Sequence, residues 1–171
     1  MGMLHLYTGN GKGKTTAAVG MAVRAAGHGM KVLFCQFMKD GRSGELQSLR
    51  RLGITVWCSP VMEKLTFQMS PDEFIHAGDS IRASAGDALE LLSSLRPDMV
   101  IFDELATALG CGLMDHETAR KLVEACSQIE TIITGRNAPE WIQNAADYLC
   151  IVESPRHPYN LGIEARIGVE L

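Results

Sequence analysis

Residues 8–16 read Thr8-Gly9-Asn10-Gly11-Lys12-Gly13-Lys14-Thr15-Thr16. The glycines let successive backbone N–H groups turn inward and approach phosphate oxygens closely, and a following helix adds its free N–H groups and positive dipole end. In this pattern Lys14 places an ammonium on the phosphates and the Thr15 hydroxyl ligates Mg²⁺. The alternative is a glycine-rich turn that binds nothing, but lysines packed this closely repel each other unless an anion neutralises them. The segment is therefore predicted to be a phosphate-binding loop (P-loop).

The context of this loop supports the prediction. It follows an apolar segment of strand length and precedes an alanine-rich helical segment, as a P-loop requires. The match to the general pattern G-x-x-x-x-G-K-[ST] is incomplete, because Thr8 occupies the first glycine position, whereas Gly13-Lys14-Thr15 fit. The expected ligand is a nucleotide polyphosphate, most simply ATP with Mg²⁺.

Apolar runs alternate with helical segments along the whole chain. The runs cover residues 3–7, 31–37, 54–57, 99–102, 131–134 and 148–152. The predicted helices cover residues 14–26, 44–52, about 71–95, 115–127 and 138–146. Short runs rich in Val, Ile and Phe are typical of strands buried on both faces. The alternation predicts an α/β fold with a doubly wound, mostly parallel sheet, and residues 1–171 are expected to form a single P-loop nucleotide-binding domain.

Further polar residues lie where such a sheet places its sites, beyond the strand ends. Asp103 and Glu104 end the fourth apolar run, at the position where P-loop proteins orient Mg²⁺, and neighbouring side chains there point in different directions. Arg136 follows the fifth run, and its planar fork suits a phosphate or ribose, although it could instead satisfy a helix terminus. For Arg24 and for His157, contact with a ligand and plain exposure to solvent both remain open.

Composition excludes several classes of protein. A net charge of −4 and a pI of about 5.7 argue against a duplex nucleic-acid binder. No apolar stretch reaches the length of a membrane span, and residues 1–7 lack the pattern of a secretory signal and are expected to form the first strand. The five cysteines include no C-x-x-C pair, so we expect free thiols in a reducing, cytoplasmic setting.

Taken together, these motifs resemble one family, the P-loop ATP:cob(I)alamin (corrinoid) adenosyltransferases of cobalamin biosynthesis and salvage. The similarity runs nearly end to end and in the family's order, and Thr8 in place of the first glycine is itself a family trait. The matching segments are residues 8–18, 24–29, 36–39, 103–105, 134–136, 146–147 and 156–158.

The resemblance implies a P-loop NTPase-like (RecA-like) fold and an unusual use of the P-loop. In this family a Co(I) corrinoid, cobalamin or a precursor such as cobinamide, attacks the 5′ carbon of MgATP, and triphosphate leaves. Lys12, Lys14 and Thr15 would then stabilise the leaving triphosphate, because Co(I) is itself the nucleophile. The resemblance also implies metal-site roles for Thr15, Asp103 and Glu104, contacts to the substrates from residues 8–16, Arg24, Arg136 and His157, an electron donor for the corrinoid, and a homodimer.

One segment departs from the family pattern. Some members carry a Phe-Thr-Trp triplet in the loop that meets the corrin ring, and the corresponding residues here are Leu65-Thr66-Phe67. Both aromatic positions are changed, although the site stays apolar. The resemblance implies that Leu65 and Phe67 face the corrin.

Two other functions are consistent with a P-loop. A small-molecule kinase or NTPase would release ADP instead of triphosphate, and kinases often carry an arginine-rich lid, which this sequence lacks. A non-catalytic module that senses ATP or corrinoid would bind nucleotide and form no product.

Overall fold

A single parallel sheet organises the protein. The structure, a computed structural model, describes residues 2–39, 41–60, 64 and 66–169. Within these residues the strands are β1 (Leu4–Thr8), β2 (Val32–Gln36), β3 (Thr55–Cys58), β4 (Met99–Asp103), β5 (Glu130–Thr134) and β6 (Tyr148–Ile151). Their order across the sheet is β3-β2-β4-β5-β1-β6, and every pairing is parallel.

The helices lie between the strands along the chain. They are α1 (Lys14–Gly27), α2 (Gly44–Arg51), α3 (Pro71–Leu95), α4 (Leu105–Gly110), α5 (His116–Ala125) and α6 (Glu140–Ala145), with short 3₁₀ turns at Thr66–Gln68 and Pro158–Leu161. The sequence predicts the strands and five of these helices to within about two residues. It misses α4, which is only six residues long.

Alternate residues of β2, β4 and β5 enter two separate cores, one on each face of the sheet. In β4, Val100 and Phe102 pack with α3, α4, α5 and α6, whereas Met99 and Ile101 pack with α1 and α2. All five residues of β2 and of β4 are buried. This explains why the central strands are continuously apolar instead of alternating with polar residues. The predicted α/β fold is confirmed.

Local sequence signals fix several helix ends. The N-cap of α3 is Ser70, whose Oγ accepts from the Glu73 N–H, while the Glu73 carboxylate accepts from the Ser70 N–H. This capping box, with Pro71 at the first helical position, satisfies donors that a helix leaves free at its start. The N-cap of α5 is Asp115, which accepts from the Thr118 N–H at 2.7 Å.

The strand order gathers the loops that matter for function. Because all strands are parallel, their carboxyl ends lie at one edge of the sheet, and β4 stands between β2 and β5, with β1 beyond β5. The loops after β1, β2, β4 and β5 therefore meet at this edge. Among the described residues, no helix is both long and apolar enough to cross a membrane.

Candidate functional site

The P-loop lies against the segment that follows β6. Gly9 has a φ of 100°, and a Cβ atom there would lie 2.5 Å from the Val152 carbonyl oxygen, so only glycine fits. The Gly11 N–H donates to the same carbonyl oxygen at 2.8 Å. The loop is thus held to the end of the sheet, and residues 10–16 line a cleft.

Lys14 and Thr15 begin α1 and carry the functional groups of the loop. The Lys14 side chain is buried, and its Nζ donates to the Gly11 carbonyl oxygen at 2.7 Å, so the ammonium folds back over the loop. Burial, and next the charge of Arg136, lower the pKa of Lys14, against the opposing effect of Glu104 and Asp103. The first turn of α1 contains no acidic residue, so its N–H groups and dipole are available to an anion.

Asp103 is the buried centre of the site. Its side chain is fully buried at the end of β4 and accepts four hydrogen bonds from different parts of the chain. The donors are Thr15 Oγ1 (2.8 Å), Thr134 Oγ1 (2.7 Å), Gln36 Nε2 (3.1 Å) and Lys39 Nζ (2.9 Å). The P-loop, β2, the segment after β2 and β5 are therefore joined through one carboxylate.

Glu104 takes the opposite direction from Asp103, as the sequence predicts. It has a φ of 61° and forms the N-cap of α4, which turns its side chain toward the cleft. Its N–H donates to Thr134 Oγ1 at 3.0 Å, and its carboxylate accepts from the Thr107 hydroxyl. This left-handed backbone conformation is unfavourable for Glu. It allows the Asp103 carboxylate to lie in the interior while the next carboxylate, of Glu104, lies at the cleft.

Arg136 reaches the cleft from the loop after β5. Its N–H donates to Thr107 Oγ1 at 2.8 Å, and the residue lines the cleft together with the start of α1. The preceding Gly135 has a φ of 142°, and a Cβ atom there would lie 2.3 Å from the Thr107 nitrogen. This close approach of the β5 loop to α4 is what places Arg136 beside Glu104.

The segment after β2 contributes residues to which the sequence analysis gave no role. Lys39 Nζ lies 2.9 Å from Asp103 Oδ2, 3.4 Å from Thr15 Oγ1 and 3.9 Å from Glu45 Oε1. Burial lowers the pKa of Lys39, but the charge and hydrogen bond of Asp103, with Glu104 and Glu45, outweigh it, so the net pKa is raised. Lys39 belongs to a motif of the family resemblance, yet only the folded chain brings it to Asp103.

The cleft has a volume of about 1010 Å³, at the upper end of the range for small-molecule sites. Ten predicted site residues line it: Asn10, Gly11, Lys12, Gly13, Lys14, Thr15, Thr16, Glu104, Arg136 and His157. The residues that sequence reasoning missed are Lys39, Arg42, Ser43, Gly44, Glu45, Gly168 and Val169. No local motif marks the last two, which reach the cleft only because the C-terminal segment folds back over it.

Some predicted residues lie elsewhere. Thr8 is buried at the end of β1, and Asp103 lies beneath the cleft. Arg24 is exposed in the last turn of α1, about 14 Å along the helix from Thr15, so the structure does not bring it together with the others. Leu65 lies outside the described residues. The backbone of Phe67 lies in the 3₁₀ turn Thr66–Gln68, but its side chain is outside the described part.

The residues around Asp103 fit a magnesium ion. Among the described residues, no group of three or more His, Cys, Asp or Glu side chains could hold a metal, so a metal here needs the hydroxyl of Thr15 and oxygens of the nucleotide as well. Two observations support the fit. The Lys39 ammonium already lies between Thr15 and Asp103, where a cation is stable. In addition, the buried Gln36 Oε1 lacks a hydrogen-bond partner among the described atoms, and a metal-bound water is one donor that could satisfy it.

Comparisons with known proteins agree with this geometry. The family described as ATP:corrinoid adenosyltransferase BtuR/CobO/CobP matches residues 1–171. A corrinoid adenosyltransferase from Pseudomonas aeruginosa is 34% identical over 173 residues, which cover 99% of this chain and 83% of that protein. One from Escherichia coli K12 is 33% identical over 171 residues, covering 99% of this chain and 85% of that protein.

A solved structure shows the same fold. The flagellar accessory protein FlaH from Methanocaldococcus jannaschii superposes with a TM-score of 0.56 at 13% identity, over 87% of this chain and 70% of that one. At this identity the likeness concerns the arrangement of strands and helices alone.

Proposed function

We propose a mechanism that starts from one premise: this chain belongs to the family of ATP:corrinoid adenosyltransferases of the BtuR/CobO/CobP type. It is a corrinoid adenosyltransferase of cobalamin metabolism. A P-loop kinase or a non-catalytic sensing module is not favoured by these relatives. What we propose is which residues carry the reaction and how.

The observation that carries the proposal is the charge of the cleft. Among the described residues, five cationic side chains line it, Lys12, Lys14, Lys39, Arg42 and Arg136, together with the free N–H groups at the start of α1. The acidic side chains on this described lining are Glu45 and Glu104. Such a surface suits a polyanion whose charge increases during the reaction, which describes a departing triphosphate.

In the proposed reaction the electron pair of Co(I) forms a bond to the 5′ carbon of ATP. The bond from this carbon to the triphosphate oxygen breaks, and its electron pair leaves with the triphosphate, so the cobalt is formally oxidised from Co(I) to Co(III). Lys14, Lys12 and Arg136, which line the same cleft, bind the phosphate oxygens. No side chain needs to act as acid, base or nucleophile, so the protein contributes position and charge.

Mg²⁺ would be held by Thr15, with Asp103 and Glu104 directly or through water. When bound, it would neutralise part of the triphosphate charge. Thr15 Oγ1 and Asp103 Oδ1 are already 2.8 Å apart, and Glu104 faces the cleft, so this chain holds the oxygen ligands in place before metal arrives.

The corrin is proposed to approach residues 65–67, with Leu65 and Phe67 on the ring and His157 at the edge of the nucleotide cleft. Because the reaction consumes Co(I), we also propose a separate electron donor that reduces the corrinoid. A cytoplasmic location is supported by the cysteines, which form no disulfide within the described residues, as is typical of a reducing compartment. A homodimer is proposed from the family resemblance.

The test mixes purified protein, MgATP and chemically reduced cob(I)alamin, anaerobically and in the dark. We expect a light-sensitive Co–C product in the visible spectrum, with triphosphate released in equal amount. Lys14→Ala should lower the rate by about 10²-fold or more, as loss of one donor to developing charge does elsewhere. Lys121→Ala is the matched control, because Lys121 is an exposed surface lysine that pairs with Glu117.

Two results would contradict the proposal. Release of ADP and phosphate without a Co–C product would instead indicate a kinase or NTPase. Full activity of Lys14→Ala would show that the proposed role of the P-loop lysine is wrong, even if the Co–C product forms.

A further inference from the structure

The Lys39 ammonium lies at a position that suits a metal cation. Its ammonium lies among three oxygens, from Asp103, Thr15 and Glu45, at 2.9, 3.4 and 3.9 Å. A hydroxyl and carboxylates are the ligands that Mg²⁺ prefers, and Thr15 and Asp103 are two of the residues to which we assign the metal. One set of oxygens therefore serves a lysine here and would serve a metal when nucleotide is bound.

The backbone holds Lys39 at this place. The Phe37 N–H donates to the Asp103 carbonyl oxygen at 2.9 Å, which extends the pairing of β2 with β4. Met38 then has a φ of 59°, and its N–H donates to Ser59 Oγ at 3.1 Å. A left-handed turn at a methionine is uncommon, and here it redirects the chain so that the Lys39 side chain, 28% exposed, returns over the end of β4.

The charge of Asp103 explains why a cation is needed. Thr15, Thr134 and Gln36 are neutral donors, so Lys39 is the one cation among the hydrogen-bond and ion-pair partners of Asp103 in the described part of the chain. A carboxylate that is fully buried is destabilised unless it is paired with a positive charge. In the absence of metal, Lys39 supplies that charge.

We propose that Lys39 is an internal placeholder for the metal: it holds the cation position between Thr15 and Asp103 in the free protein and leaves it when Mg²⁺ and nucleotide bind. This inference rests on the magnesium site proposed above. The displaced ammonium stays beside the cleft, where Glu45 remains a partner and the incoming phosphates are new ones. Lys39 is thus a positioning residue that couples metal binding to nucleotide binding.

The proposal predicts that metal and polyphosphate each strengthen the binding of the other. Without nucleotide, a metal ion must displace Lys39, whose ammonium then loses the Asp103 carboxylate. With a polyphosphate present, the ammonium has a replacement partner and the metal binds more tightly. By linkage, the metal must tighten polyphosphate binding by the same factor.

The experiment measures Mn²⁺ affinity by the loss of the free-ion electron paramagnetic resonance signal. Wild type and Lys39→Met are titrated without nucleotide and then with inorganic triphosphate, with protein-free triphosphate as the reference. We expect Lys39→Met to bind Mn²⁺ about tenfold more tightly than wild type in the absence of triphosphate, within the usual range of such couplings. Triphosphate raises Mn²⁺ affinity by a certain factor in wild type, and in Lys39→Met we expect this factor to be about tenfold smaller.

Lys12→Met is the matched control, because Lys12 lines the same cleft and its removal changes the net charge equally. If removal of either lysine raises Mn²⁺ affinity equally, the effect is general electrostatics and the placeholder is refuted. An unchanged affinity in Lys39→Met also refutes it. If wild type binds no Mn²⁺ even with triphosphate, the proposed metal site itself fails, which is a separate result.

A folding readout accompanies the titration. Lys39→Met leaves Asp103 without its cation, so its melting temperature should fall in the absence of metal and should rise more on adding Mn²⁺ than that of wild type. If Lys39→Met does not fold, Lys39→Gln takes its place in both measurements, because glutamine removes the charge and keeps a hydrogen-bond donor.

Discussion

Thr134→Val tests whether the Asp103 network stabilises the fold as well as the site. Thr134 is fully buried at the end of β5. Its hydroxyl donates to Asp103 Oδ1 at 2.7 Å and accepts from the Glu104 N–H at 3.0 Å. Valine has nearly the same shape and the same preference for strands, so the substitution removes the hydroxyl and little else.

The two lost interactions set the expected magnitude. A hydrogen bond to a charged group contributes about 1.5–3 kcal/mol, and a buried N–H left without an acceptor costs about 1–3 kcal/mol. Asp103 keeps its three other donors, so the lower parts of these ranges apply. We expect the free energy of unfolding to fall by about 3 kcal/mol.

Thr131→Val is the matched control in the same strand. Thr131 is also buried, but its hydroxyl donates to the neutral carbonyl oxygen of Ile129 at 2.9 Å, which is worth about 1 kcal/mol. The assay is urea unfolding of both variants and of wild type, without nucleotide. The difference of about 2 kcal/mol corresponds to roughly 4–8 °C in melting temperature for a chain of this size. An equal or smaller loss for Thr134→Val would refute the idea that the Asp103 network is a strong contributor to stability.

Three further predictions concern single features. Gly135→Ala should lower stability and nucleotide affinity in thermal unfolding with and without MgATP, because the new Cβ would meet a backbone nitrogen at 2.3 Å; Gly20→Ala, in a helix with open space around it, should be neutral or stabilising. The backbone N–H bond at the start of α5 lowers the pKa of Asp115 below its usual 3.8, so its contribution to stability is complete above that value and is lost as the pH falls through the folded pKa. Asp115→Asn should keep the cap and lose this part of the pH dependence in urea unfolding between pH 7 and pH 3; an identical pH profile would contradict it. Burial raises the pKa of Cys126 to about 12, so a thiol reagent at pH 8 should label the half-buried Cys150 before Cys126, and the reverse order would count against the packing described.

The sequence predicts those parts of the site that rest on short-range signals. The P-loop is a contiguous motif, and its ligand-binding groups follow from backbone N–H groups and one lysine. Asp103 ends a strand that the apolar runs identify, and Glu104 follows it directly. The central strands β2 and β4 are easy to find because they are buried on both faces and are apolar up to their last residue.

What the sequence did not predict depends on tertiary placement. The role of Lys39 requires the left-handed turn at Met38, and methionine carries no signal for that conformation. Gly168 and Val169 reach the cleft through the path of the C-terminal segment. Arg24 belongs to a motif of the family resemblance, and α1 places it in the last turn, away from the phosphate end, so its contact with a substrate stays a prediction.

The strand order has a consequence for how the chain folds. β1 pairs with β5 and β6, so its partners come from the last third of the sequence, and Thr15 meets Asp103 across 88 residues. Proteins dominated by such distant contacts fold slowly, because long loops must close, with a loss of chain entropy, before the stabilising contacts can form. The four hydrogen-bond donors of Asp103 come together only when the centre of the sheet is complete. In a partly folded chain the Asp103 carboxylate would lack some of these donors. We therefore expect newly made protein to acquire affinity for ATP late, after the centre of the sheet has formed.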